Sequence, residues 1–311
     1  MNKPNKIVGS QPIIPPTTHV DRKMKRYTLS WLKHTLILGP RTTVMGIVNI
    51  TPDSFSDGGR FNTTEAAVAQ GELLADAGAG IIDIGGESTR PFAPAVPAEE
   101  EMARVLPVIQ RLAPRIDVPI SIDTTKAEVA RAAVEAGAAM INDISALTME
   151  PEIARIAADR RVPLILMHMK GTPRTMQLDP TYDDVVAEVR TFLGDAIDRA
   201  VAAGVPRDRI IVDPGIGFGK TGRHNLVLIR QLKALSELDV PLLVGPSRKR
   251  FIRDLVKPPG QEDIAADCAE VENGTLAAVA AAILNGAHIV RVHDVARTAA
   301  MVKVLDAIRM A

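Results

Sequence analysis

Short apolar runs recur along the chain from residue 44 onward, and nearly every one ends in a polar cluster. They fall at 44–49, 81–84, 120–122, 140–141, 164–167, 210–212, 242–244 and 289–292, eight in all. A strand covered on both faces reads as a continuous apolar run rather than an alternating one, as in parallel sheets coated by helices. Between the runs, helical spacing predicts helices over 63–77, Ala98–Leu112, 126–136, 151–159, 182–203, 225–238, 274–284 and 296–310. The second is the clearest. Met102, Val105, Leu106, Ile109 and Leu112 share one face behind an acidic first turn, Glu99 to Glu101.

Eight strand–helix units that hand polar groups to the same end predict an α/β protein, a (β/α)8 TIM barrel with its site at the C-terminal rim. An open flavodoxin-like or Rossmann sheet is the competing fold. Eight units are too many for one such sheet, and the first run lacks a Gly-rich turn into a helix. Residues 1–40 are expected to be an N-terminal extension and 41–311 the barrel. The first 24 residues carry Pro12, Pro15 and Pro16 without periodicity and suggest a flexible lead. Residues 27–31 and 35–38 suggest a β-hairpin that plugs the barrel bottom. The longest irregular stretch, 254–273, is polar and is expected to be mobile.

Length agrees: 311 residues accommodate a barrel of roughly 250 plus an extension. Lys+Arg and Asp+Glu both total 37, so no general field draws nucleic acid and any anion site must be local. The single Cys268 excludes an internal disulfide and suits a reducing compartment. No run approaches the ~20 apolar residues of a membrane span, and the start lacks a signal-peptide core. A cytoplasmic protein is expected, without membrane or nucleic-acid partners.

Asp123, Asn142 and Asp213 close three of the runs. A lone Asp there is often the cap of the next helix, and Asp123 has that alternative. Three converging on one barrel mouth, with Lys249 as a cationic donor, match a flat heterocycle that has an amidine-like edge and a carbonyl. Thr89-Arg90, the basic run 247–250, and Arg291 with His293 offer cations at the rim. Arg291 and His293 are two apart on one strand and so share a face. Arg90 alone would read as a surface ion pair; after Gly85-Gly86-Glu87 it reads as functional. Gly215, Gly217 and Gly219 fit neither the P-loop nor the dinucleotide spacing. They suggest a tight turn that lets backbone approach a ligand. His168, between two Met residues, fits a packed core or a function equally. There is no H-E-x-x-H or Cys–His metal spacing, and no nucleophile elbow surrounds Ser54 or Ser88. A metal, if used, should be hard and oxygen-bound, Mg²⁺ carried by a phosphate, with Asn49 and Asp53 as oxygen donors.

Eight ordered blocks resemble the dihydropteroate synthase family, pterin-binding TIM-barrel enzymes. They are 45–59 (MGIVNITPDSFSDGG), 82–91 (IDIGGESTRP), 121–124 (SIDT), 141–144 (INDI), 167–177 (MHMKGTPRTMQ), 213–220 (DPGIGFGK), 247–249 (SRK) and 291–294 (RVHD). The resemblance implies an enzyme that joins 4-aminobenzoate to 7,8-dihydropterin-6-ylmethyl diphosphate. By it, Asp123, Asn142, Met167, Asp213, Phe218, Gly245 and Lys249 would hold the pterin. Asn49, Thr89, Arg90, Arg291 and His293 would hold the diphosphate, with Mg²⁺ at Asn49. Asp53, Phe55, Pro91 and Phe92 would form the aminobenzoate pocket. Asp123, Lys249, Arg291 and His293 would be the catalytic set, and a homodimer would form on outer helices. Phe92 stands where the family usually has Gly, Pro246 precedes Ser247, the segment after Val256 looks long, and the first 40 residues match loosely. Competing readings are a pterin-dependent methyl-transfer relative, a non-catalytic pterin-binding paralogue, and a phosphate-binding aldolase or isomerase. The first would not need the rim cations.

Overall fold

The computed structural model describes residues 24–50, 60–88 and 94–311. Asp53, Phe55, Thr89, Arg90, Pro91, Phe92 and the proposed flexible lead through residue 23 lie outside the described residues.

A two-stranded antiparallel hairpin, β1 (Tyr27–Trp31) and β2 (His34–Leu38), comes first. The barrel follows as β3 (Thr43–Asn49), α1 (Arg60–Asp76), β4 (Ile81–Gly85), α2 (Ala98–Leu112), β5 (Ile120–Asp123), α3 (Ala127–Ala136) and β6 (Met140–Asp143). It continues through α4 (Glu152–Arg160), β7 (Leu164–Met167), α5 (Val185–Ala202), β8 (Ile210–Asp213), α6 (Gly222–Arg230) and β9 (Leu243–Val244). The last elements are α7 (Arg250–Val256), α8 (Ala269–Leu284), β10 (Ile289–Val292) and α9 (Val295–Met310). The eight barrel strands run in the order β8-β7-β6-β5-β4-β3-β10-β9, and every pair is parallel. The ring closes where Val212 pairs with Leu242.

The strands are apolar runs because helices cover them. β7 is buried at all four positions, and β4 at all five. α2 buries Val105, Ile109 and Leu112 of the face its spacing marks, together with Val108, and leaves Met102 and Leu106 partly buried; Pro107 leaves the helix unbroken. The hairpin closes the lower end. Leu29, Trp31 and Leu38 are buried, and the Trp31 indole donates to the carbonyl of Ala139, just ahead of β6.

Three expectations need correction. The 225–238 helix is α6 plus a 3₁₀ turn, Leu232–Leu238. The irregular 254–273 stretch is shorter, since α7 runs to Val256 and α8 begins at Ala269. In what remains, Asp263 pairs with Arg253 of α7 at 3.2 Å. Gly274 does not start α8. It lies inside the helix, where a side chain would not fit, since a Cβ there would meet Ile252 Cγ2 of α7 at 2.6 Å.

Candidate active site

Register carries the site across the sheet. Asn49 pairs with Gly85, Gly85 with Asp123 and Asp123 with Asn142, so four strand ends finish level. On the far side Met167 pairs with Asp213. Asp123, Asn142, Met167, Asp213, Phe218, Gly245 and Lys249 line one slot with Ile144, Ile216 and Arg291. All seven residues assigned to the heterocycle are thus brought together. The slot is narrow, with ≈ 20 Å³ of free volume. Lys249 Nζ lies over the Phe218 ring, 3.9 Å from its centre.

The floor is an ion-pair network. Arg291 reaches Asp83 through Nε (2.6 Å) and Asp123 through Nη2 (2.7 Å). Asn142 Nδ2 donates to Asp83 at 3.2 Å. Asp123 does not cap α3, whose N-cap is Lys126. Asp83 was missing from the candidate residues. Its signal was a carboxylate inside an apolar run, Ile81-Ile82-Asp83-Ile84, where its side chain must face inward. It is fully buried.

Burial sets the ionisation of these groups. It raises Asp123 to about 7 against the pull of Arg291. Burial raises Asp213 to about 6, although the Gly215 N–H donates to its Oδ1 at 2.7 Å. Burial and then Arg291 lower Lys249 to about 8. Burial also opposes the charge on Arg291, but Asp83 and Asp123 outweigh it and hold its pKa above the ordinary value. Three groups therefore titrate near neutrality in one slot, the pattern of a functional site rather than of structural ion pairing.

At the rim, His293 Nδ1 lies 2.9 Å from Ser247 Oγ. Asn49 Oδ1 and Asp123 Oδ2 would each lie 3.8 Å from a Cβ on Gly85, so the two oxygens flank this glycine from neighbouring strands. Among the described residues no group of three or more His, Cys, Asp or Glu forms a metal cage. An amide oxygen and a carboxylate oxygen on either side of one glycine would suit a hard cation that keeps its waters and rides on a phosphate.

The glycine turn corrects another expectation. Gly215, Gly217 and Gly219 have φ of +66°, +84° and +61°. A Cβ on Gly215 would sit 1.9 Å from His168 O, and one on Gly219 2.6 Å from Lys170 O. These two glycines let the loop lie against the backbone after β7, so close approach serves a protein neighbour. His168 is buried there, with Lys220 Nζ 2.8 Å from its Nδ1. Burial and Lys220 lower its pKa to about 3, so it is a neutral acceptor for that lysine.

A larger cleft, ≈ 500 Å³, opens beside the hairpin turn and is lined by Lys33, His34, Arg160, Arg161 and Arg209, among others. It lies at the opposite end from the strand C-termini, where barrel chemistry resides.

A closed parallel barrel whose strand ends gather three acceptors, a lysine and an arginine in one buried slot defines a barrel enzyme built for a polar heterocycle. The model for the family described as pterin binding enzyme matches residues 45–293. Dihydropteroate synthase of Synechocystis sp. is 52% identical over 270 residues, covering 87% of this chain and 91% of that one. A Xanthomonas albilineans dihydropteroate synthase with 4-aminobenzoic acid superposes with a TM-score of 0.84 at 49% identity, covering 92% of this chain and all of that one. The same enzyme in complex with 7,8-dihydropteroate gives a TM-score of 0.78 at 48% identity, covering 88% and 97%. The chain belongs to the pterin-binding enzymes and, within them, to the dihydropteroate synthases, transferases of folate synthesis.

Proposed function

We propose that this chain condenses 7,8-dihydropterin-6-ylmethyl diphosphate with 4-aminobenzoate to give 7,8-dihydropteroate and diphosphate. The observation that carries this reading is the single slot holding Asp123, Asn142, Asp213 and Lys249 beside Arg291. The carboxylates accept from the amino and ring N–H groups of the pterin, and Lys249 donates to its carbonyl. Met167 and Phe218 pack on the ring, and Gly245 leaves room beside Arg291.

The C–O bond to diphosphate breaks, and its electron pair leaves on the phosphate oxygen. The electron-rich pterin spreads the charge left on the methylene, an SN1-like course. The lone pair of the arylamine then forms the C–N bond, and the nitrogen loses a proton. Arg291 and His293, with Asn49, Thr89 and Arg90, stabilise charge on the departing group. Asn49 would offer its amide oxygen to a Mg²⁺ ion, which when bound would supply further neutralisation of that charge. Asp53, Phe55, Pro91 and Phe92 complete the aminobenzoate pocket. The enzyme works as a cytoplasmic homodimer, with the Ala-rich helix α8 as a candidate contact.

The test mixes purified protein, Mg²⁺, 4-aminobenzoate and the diphosphate-activated dihydropterin, and assays dihydropteroate and diphosphate together. Equal amounts of both, lost on chelation of Mg²⁺, are expected. Pterin binding without product would favour a non-catalytic paralogue, and no pterin binding would overturn the site.

A further inference from the structure

The turn after β9 carries Ser247, Arg248 and Lys249, and its middle residue is strained. Arg248 has φ +60°, a left-handed conformation that L side chains enter at a cost. Such strain persists where neighbours over-determine it. Here the neighbours are on α8. Glu272 Oε1 accepts from both Nε and Nη2 of Arg248 at 2.6 Å. Thr275 Oγ1 accepts the backbone N–H of Arg248 at 3.2 Å. Glu272 and Thr275 lie three apart on one helix face, and both are buried. Gly274, between them, brings α8 against Ile252 of α7, the helix that Lys249 begins. A buried carboxylate and a buried hydroxyl thus fix one residue by side chain and backbone at once.

The residues on either side of that point face the slot and the rim. Lys249 Nζ lies over Phe218, and Ser247 Oγ meets His293 Nδ1. A change of backbone conformation at Arg248 would redirect both. We propose that Glu272 and Thr275 are positioning residues, whose grip on Arg248 aims Lys249 and Ser247 at the bound substrate. The proposal rests on the pterin-binding role given above to Lys249.

The experiment measures KM for the pterin diphosphate, kcat and thermal stability in full-length variants. Glu272→Gln keeps the shape and removes the charge, and should raise KM about tenfold with a smaller change in kcat. Adding Arg248→Gly should return KM to within about twofold of the parent, because glycine adopts this φ without a clamp. If Glu272→Gln does not fold, Thr275→Val tests the other half of the grip, on the Arg248 backbone N–H, with KM up about threefold and Thr275→Ser near the parent. An unchanged KM, or a raised KM that Arg248→Gly does not rescue, would overturn the proposal and leave the pair as packing. Lys249→Ala in parallel separates the two ideas. Normal pterin affinity there defeats the site reading, whereas impaired affinity there with a normal Glu272→Gln defeats only the clamp.

Discussion

At the lower end of the barrel, Leu29, Trp31 and Leu38 seat the hairpin against the strand starts, and the buried Thr42–Asp306 pair is held by fixed neighbours. Thr42 donates through its backbone N–H (2.8 Å) and Oγ1 (3.0 Å) to Asp306, which Arg309 also pairs at 2.8 Å. At the upper end, Asp83, Asp123, Asp213, Lys249 and Arg291 crowd one slot, and burial drives three of them to titrate between about 6 and 8. Burying charges costs stability unless partners repay it. The lower end is organised for stability, and the upper end accepts unfavourable ionisation in exchange for a ligand. Substitutions below should therefore move stability and leave binding alone, and those above should do the reverse.

The largest effect should come from Trp31→Ala. It empties a core position and strips the Ala139 carbonyl of its donor. A loss of about 3–5 kcal/mol in urea unfolding is expected, with KM unchanged in the protein that remains folded. A KM shift beyond about twofold would show that the two ends communicate.

Asp213→Asn should invert that outcome. The amide keeps the volume and removes the charge, so pterin-substrate affinity should fall by about 1.5–3 kcal/mol, the worth of a hydrogen bond to a charged group. The melting temperature should hold or rise, since a buried charge is gone. A clear drop in melting temperature would place Asp213 with the structural charges instead.

Thr42→Val is the milder probe of the lower end. It deletes the hydroxyl bond to Asp306 and keeps the backbone one. About 1 kcal/mol of stability should be lost in denaturant titration, with unaltered kcat/KM. A kinetic change here would contradict the division of labour between the ends.

The same contrast explains what the sequence revealed. The eight strands were legible because each is covered on both faces, and the slot because Asp123, Asn142 and Asp213 each end a run. β9 was harder to bound. It is only two residues, Leu243–Val244, before Gly245-Pro246 ends the ladder. α7 stayed hidden because its start, Arg250, continues a basic run that reads as solvated loop. Asp83 was in view as a letter, but its partnership with Arg291 depends on β4 and β10, far apart in the chain, both pairing with β3. The strain at Arg248 left no local signal, since nothing in Ser-Arg-Lys asks for φ above zero. What the sequence withheld is what long-range packing decides.

The smallest expected effect is the pH dependence of kcat/KM, and it tests the upper end most directly. On the proposed site, the pterin would be held best when both aspartates are ionised and Lys249 is protonated. Asp213 and Asp123 gain their charge as pH rises through about 6 and about 7, so affinity climbs across that window. Lys249 loses its proton as pH rises through about 8, so affinity falls beyond it. The free enzyme's profile should be a bell with its top near pH 7.5, declining about two- to threefold by one unit to either side. Lys249→Arg cannot deprotonate in this range, so it should flatten the alkaline limb and spare the acidic one. If the alkaline limb survives in that variant, the falling arm belongs to another group, and the slot's near-neutral charges are not what governs binding.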